Sequence, residues 1–329
     1  MIKKFDRSKI WNLIKFLLAI VLVIFVVKKT DFSYITQLSG RFSWSWFAIR
    51  VVLFFILTAL KALQYYALIS KVRYRDVLNI VVWQNAISNL VSNSAGIASY
   101  MTMFKTEQKV NLTRSGATFL IVKFGDLLAI CLYLILSASI VWKEIQSLRW
   151  LTILLISGML FGLGIFFITM LWRERFVYLI ERILTWLKLD RFSLTARGLK
   201  LLHSLADEEQ DSILRMLKTG VLTSLLYMTI TMFFGYSEIG LFNLPVTMWG
   251  SVYITSLNQL VSFIPIQVLG GLGIAEVTLV YLYGIFGVPQ AEMSGVALAL
   301  RALFYLMNIA AFLYLPIGAF LKKRLPNEN

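Results

Sequence analysis

Six stretches of the chain, at roughly 11–27, 44–70, 116–142, 150–172, 219–239 and 295–321, are apolar almost throughout. Runs of about 18 or more such residues match the hydrocarbon thickness of a bilayer and mark membrane-spanning helices. Two further runs, near 246–264 and 270–287, are apolar but interrupted by polar residues, Gly and Pro. With 59% of 329 residues hydrophobic and 15% charged, no soluble core of this size hides that much apolar surface. The expectation is an all-α polytopic membrane protein of about eight transmembrane segments, two of them interrupted or re-entrant hairpins.

The N-terminus has the charge of a signal peptide, with Lys3, Lys4, Arg7 and Lys9 before the apolar run Phe16 to Val27. That run ends in Lys28-Lys29-Thr30-Asp31 with no small-residue cleavage site, so an uncleaved first helix is expected. The net charge of +15 belongs to segments that flank helices and lack any nucleic-acid reader motif. It therefore argues against nucleic acid and for an anionic lipid surface. Twenty-three of the 32 Lys and Arg fall on one side of the expected spans. Lys28, Lys29, Arg41, Arg50, Lys143 and Arg149 fall on the other side or at its edge, and Lys61, Lys123 and Arg301 lie within helices. The positive-inside rule then puts both termini in the cytoplasm, in the cell membrane. Residues 219 to 300 contain no cation at all. Trp44, Trp46, Trp142, Trp150, Trp172 and Trp249 stand near expected helix ends as interfacial anchors. The cytoplasmic connection 173–218 carries Phe176, Leu179, Ile180, Ile183, Leu184 and Leu187 at helical spacing. It reads as an amphipathic helix lying on the membrane or packed under the bundle, followed by a short helix in LADEEQDSILRMLK. One cysteine, Cys131, and one histidine, His203, exclude a disulfide framework and a His/Cys metal site on count. No cofactor motif is found.

The interruptions carry the functional reading. In NQLVSFIPIQVLGGLGIAE, from Asn258, Pro265 cannot donate a helical hydrogen bond and Gly270-Gly271 weaken the helix further. Non-helical backbone at membrane depth survives only against protein or a water-filled cavity. The segment is therefore expected to break, with Gln267 in the break and the helix restarting near Gly273. Glu276 then occupies the first turn, where the helix dipole favours an anion. Gly270, Gly271 and Gly273 also fit a simple role in close helix packing. A second polar interruption, NAISNLVSNSAGIASYM at 85–101, holds Asn89, Asn93 and Gly96. Cations on both flanks suit a hairpin that enters and leaves on the cytoplasmic side.

Each half of the chain then reads helix, interrupted hairpin, long helix, with halves near 1–172 and 219–329 in one integral domain. The third element opens Ser115-Gly116 in one half and Ser294-Gly295 in the other, each followed by a cation, Lys123 or Arg301. Hairpins entering from opposite faces make an inverted repeat, a transporter plan with its site near the midplane. Charged groups inside spans cost about 2.5–3.5 kcal/mol at helix centre on insertion scales, so each needs a reason. Asp126 lies about ten residues into its helix, with Lys123 three positions earlier on the same face and able to pair with it. Lys61 and Arg301 are near enough to helix ends to snorkel outward, or to serve the cavity.

SFIPIQVLGGLGIAEVTLVYLYGIFGVPQAEMSGVALALRALFYL resembles the second half of the lysylphosphatidylglycerol synthase transmembrane region, a flippase-like integral membrane family. The matching positions are Pro265, Gly270, Gly271, Gly273, Glu276, Gly287-Val288 and Arg301. KKTDFSYI and GATFLIVKFGDLLAI resemble the family's first half, although SNSAGIAS replaces its usual Pro-Gly-x-x-Gly-Glu. The resemblance implies a transporter moving a phospholipid or lipid-linked head group, with Lys123 and Arg301 attracting phosphate. It equally brings in the membrane component of a phosphatidylglycerol lysyltransferase working with a separate catalytic partner. A structural subunit and a homo-oligomer are the remaining readings. The chain ends directly after its last apolar run, without the large soluble domain of the aminoacylating members.

Overall fold

A computed structural model describes residues 40–69, 72–90, 93–186, 210–263 and 273–324. The expected first span, 11–27, lies outside the described residues. Every regular element among them is helical, and nine α-helices are described. They are α1 (Trp44–Tyr66), α2 (Tyr74–Leu90), α3 (Asn93–Glu107), α4 (Leu112–Ile140), α5 (Arg149–Trp186), α6 (Gln210–Phe242), α7 (Met248–Ser262), α8 (Ile274–Ile285) and α9 (Gln290–Arg324).

Length sorts them into two kinds. α1, α4, α5, α6 and α9 each contain a stretch long and apolar enough to cross a membrane. Five of the six uninterrupted apolar runs are thus found as helices. α2, α3, α7 and α8 have 17, 15, 15 and 12 residues. At 1.5 Å per residue they reach about 18–26 Å, short of the roughly 30 Å hydrocarbon core. α7 ends at its C-cap Phe263 and α8 begins after its N-cap Gly273, while residues 91–92 and 264–272 lie outside the described ones. The surface supports a lipid environment, because large apolar side chains point outward. Trp150 is 83% and Phe161 72% exposed, far beyond what a water-facing surface tolerates as a contiguous patch. The chain is a multi-pass membrane protein.

Local chemistry fixes the helix starts. Ser43 caps α1, its hydroxyl accepting from the Trp46 amide, while its own amide donates to Leu241 O at the end of α6. The Thr247 hydroxyl accepts from the Gly250 amide at the start of α7. Gly273 precedes α8 with φ +86°, a left-handed conformation that strongly favours glycine. Gly96 of α3 faces α2 so closely that a Cβ there would overlap the Ser88 side chain and lie 2.9 Å from Gln84 O.

The two halves exchange contacts. α4 of the first half packs on α6 and α7 of the second, and α9 of the second packs on α1 and α2 of the first. α1 and α6 form the central pair and run antiparallel: Arg50 meets Ser237 near one end, and Gln64 meets Ser224 near the other. A helix and its counterpart in opposite directions is the arrangement that an inverted repeat demands. α5 lies outside this core against α4, where Phe124 and Phe166 stack. α5 runs unbroken to Trp186. The first part of the expected surface helix is thus a continuation of the span, and residues 187–209 lie outside the described ones.

Candidate functional site

Among the described residues the bundle surrounds a cavity of about 380 Å³. α1, α2, α4, α6, α7, α8 and α9 all contribute to its wall. One part of the lining is neutral and polar: Asn85, Ser88 and Asn89 from α2 and Thr255, Asn258 and Gln259 from α7. A second part is charged, with Arg50, Lys61, Lys123 and Arg301 beside Asp126, Glu238 and Glu276, and the remainder includes apolar and aromatic residues such as Met228, Phe234, Phe263 and Phe304.

The carboxylates are each engaged. Glu276 holds the α8 N-terminus, its Oε2 accepting from the Gly273 amide at 2.6 Å, and its Oε1 accepts from Arg301 Nε. Asp126, 2% exposed, accepts from Lys61 Nζ at 2.8 Å, Gln64 Nε2 at 2.9 Å and Ser224 Oγ at 3.0 Å. Glu238 accepts from Arg50 Nη2 at 3.0 Å and from the Tyr283 hydroxyl at 3.2 Å. Arg50 also donates to Phe234 O and Ser237 Oγ, and its guanidinium lies 4.0 Å over the Phe234 ring. Such saturation is what makes buried charge tolerable, since an unpaired ion costs several kcal/mol.

Lys123 differs. Its ammonium sits 4.8 Å from the Phe263 ring centroid and 5.8 Å from that of Phe119. It makes no hydrogen bond or ion pair among the described residues, so the expected Lys123–Asp126 pair is not formed. Lys61, on a different helix, takes that carboxylate instead because its long side chain reaches inward across the α1–α4 contact. It does not snorkel outward. Nor does Arg301, which turns into the bundle toward Glu276 and lies near the Phe304 and Tyr305 rings.

Of the expected site residues, Asn89, Lys123, Asp126, Asn258, Glu276 and Arg301 line this one cavity. Asn89 also donates to Asn308 Oδ1 at 2.7 Å, tying the first hairpin to α9. Gly96 is not among the lining residues and serves the packing of α3 on α2. Asn93 opens α3, with its side chain outside the described residues. Gly273 is the N-cap of α8. Pro265, Gln267, Gly270 and Gly271 lie outside the described residues.

Arg50 and Glu238 were not anticipated. Arg50, assigned from sequence to the far edge, is 3% exposed inside the bundle. A signal was there to find. The cation-free segment 219–300 holds three carboxylates, Glu238, Glu276 and Glu292, and each pairs with a cation from outside it. Their partners are Arg50, Arg301 and Arg41.

The family model for the lysylphosphatidylglycerol synthase transmembrane region matches residues 12–311. The chain belongs to that family. Membership supports a lipid-related function for this membrane protein and fits an interaction with phospholipid. No curated protein and no solved structure matches the chain at a significant level.

Proposed function

We propose that the protein is a transporter that carries the head group of a phospholipid or lipid-linked molecule between leaflets. One observation carries this reading: a polar, charged cavity lined in part by the short helices α2, α7 and α8, in a chain of a lipid-related membrane family. A head group left in hydrocarbon loses its hydrogen bonds at several kcal/mol each. The amides, hydroxyls and charges of α2, α7 and α9 replace them, while the acyl chains stay in the bilayer. In this reading Asn89, Lys123, Asp126, Asn258, Glu276 and Arg301 meet the head group. Pro265, Gln267, Gly270, Gly271 and Gly273 are assigned to the same site. The hairpins enter from opposite faces of the cell membrane, with both termini cytoplasmic. Single-cysteine labelling from each side tests that topology, and both hairpins reacting from one side would overturn it.

The deciding experiment reconstitutes the purified chain in liposomes containing tail-labelled lipids of several classes. Faster exchange between leaflets than in protein-free vesicles is expected. Exchange no faster than the control, in every class, would sink the proposal. The family's description favours one second reading, a membrane component of aminoacyl-phospholipid synthesis with a separate catalytic partner. It predicts that deleting the gene lowers aminoacylated lipid in the membrane, which transport alone does not.

A further inference from the structure

Among the described residues, seven charged side chains line the cavity, four cationic and three anionic, so one positive charge is in excess. The hydrogen bonds say where it resides. Asp126 is held by Lys61, Gln64 and Ser224, Glu238 by Arg50 and Tyr283, and Glu276 by Arg301 and the Gly273 amide. No carboxylate is left over for Lys123. Its two near neighbours are aromatic rings, which attract a cation without neutralising it. The segment 264–272 beside Phe263 contains no ionisable residue and cannot alter the balance.

We infer that Lys123 is the phosphate ligand of the cavity, and that the cavity selects a head group with one net negative charge on an otherwise uncharged polar body. This deepens the transporter reading and rests on it. A phosphodiester anion would neutralise the surplus, and an unpaired ammonium in the bundle is otherwise costly. The neutral polar part of the lining, with Asn85, Ser88 and Asn89 from α2 and Thr255, Asn258 and Gln259 from α7, offers both donors and acceptors. That chemistry suits the hydroxyls of a polyol. It offers no open carboxylate to the ammonium of a zwitterionic head group. A lysyl ester, which adds further ammonium groups, would enter a cavity already carrying surplus positive charge. The inference thus assigns the cavity to the unmodified anionic lipid in preference to the aminoacylated one.

The test is equilibrium binding to the full chain in detergent, with tail-labelled phosphatidylglycerol, phosphatidylcholine and lysylphosphatidylglycerol as probes. Phosphatidylglycerol should bind at least about tenfold tighter than either other lipid, the scale of one hydrogen bond to a charged group. Lys123→Gln should remove most of that advantage by weakening phosphatidylglycerol more than phosphatidylcholine, whereas Lys123→Arg should keep it. Equal binding of all three lipids by the native chain overturns the inference, whether or not the variants fold. So does a folded Lys123→Gln that keeps the native preference. Glycerophosphoglycerol supplies the same diester without tails. Displacement only at far higher concentration supports a lipid source, and displacement as effective as by the lipid overturns it. Because binding is read without movement, exchange that proceeds with no charge preference sinks this inference alone. Charge-selective binding without exchange sinks only the transporter reading.

Discussion

The two hairpins solve one problem with different chemistry. α2 and α3 press together through Gly96, and α2 presents the amides and hydroxyl of Asn85, Ser88 and Asn89 to the cavity. In the other hairpin α8 starts on a left-handed glycine and a carboxylate. The first hairpin contributes no charge to the cavity and the second contributes Glu276. The contrast shows two ways of fixing short helices, one by close packing at a glycine and one by a capping carboxylate.

Variants can break the contrast. The largest effect is expected at the charged hairpin. Arg301→Ala leaves Glu276 buried and unpaired, a loss of about 3–5 kcal/mol, read as a lower unfolding temperature in detergent together with lost exchange. Pairing it with Glu276→Gln should restore most of the stability but not the exchange; if exchange returns, the pair is only structural. Next comes the neutral hairpin. Gly96→Ala forces a methyl against Ser88 and the Gln84 carbonyl, at about 1–3 kcal/mol. Ser88→Ala should not rescue it, because the backbone contact remains. Gly273→Ala, at φ +86°, should cost about 1–2 kcal/mol, with hydrogen exchange rising at the α8 amides and not at α2. The smallest effect is expected for Asn89→Ala, about 0.5–1.5 kcal/mol for the lost bond to Asn308. A loss there as large as that of Arg301→Ala would erase the distinction between the hairpins.

Much of this was legible before any coordinates. The apolar runs, the two interruptions and the suspect charges Lys123, Asp126, Glu276 and Arg301 follow from one fact: hydrocarbon penalises polar groups, so each one present stands out. Partnership was harder to read. Lys123 and Asp126 share a helix face, yet Asp126 bonds to α1 and α6, because pairing across helices depends on which faces meet in three dimensions. Arg50 looked like an edge residue because it stands only seven positions into α1. Its burial follows from antiparallel packing on α6, which brings Glu238 opposite. The running-on of α5 past its apolar part escaped notice because a change of composition does not require a change of backbone.

The α1–α6 pair has a mechanical consequence. Arg50–Glu238 fastens it at one point, and the Lys61, Gln64, Asp126 and Ser224 knot fastens it at another, about 16 Å further along α1. Sliding one helix along the other by a single turn would unmake both clusters at once. With α4 tied to both helices through Asp126, the pair is an axle, and in the transporter reading any rocking between inward and outward shapes falls to α9 with α2. Stapling α1 to α6 by a disulfide should accordingly leave lipid exchange running.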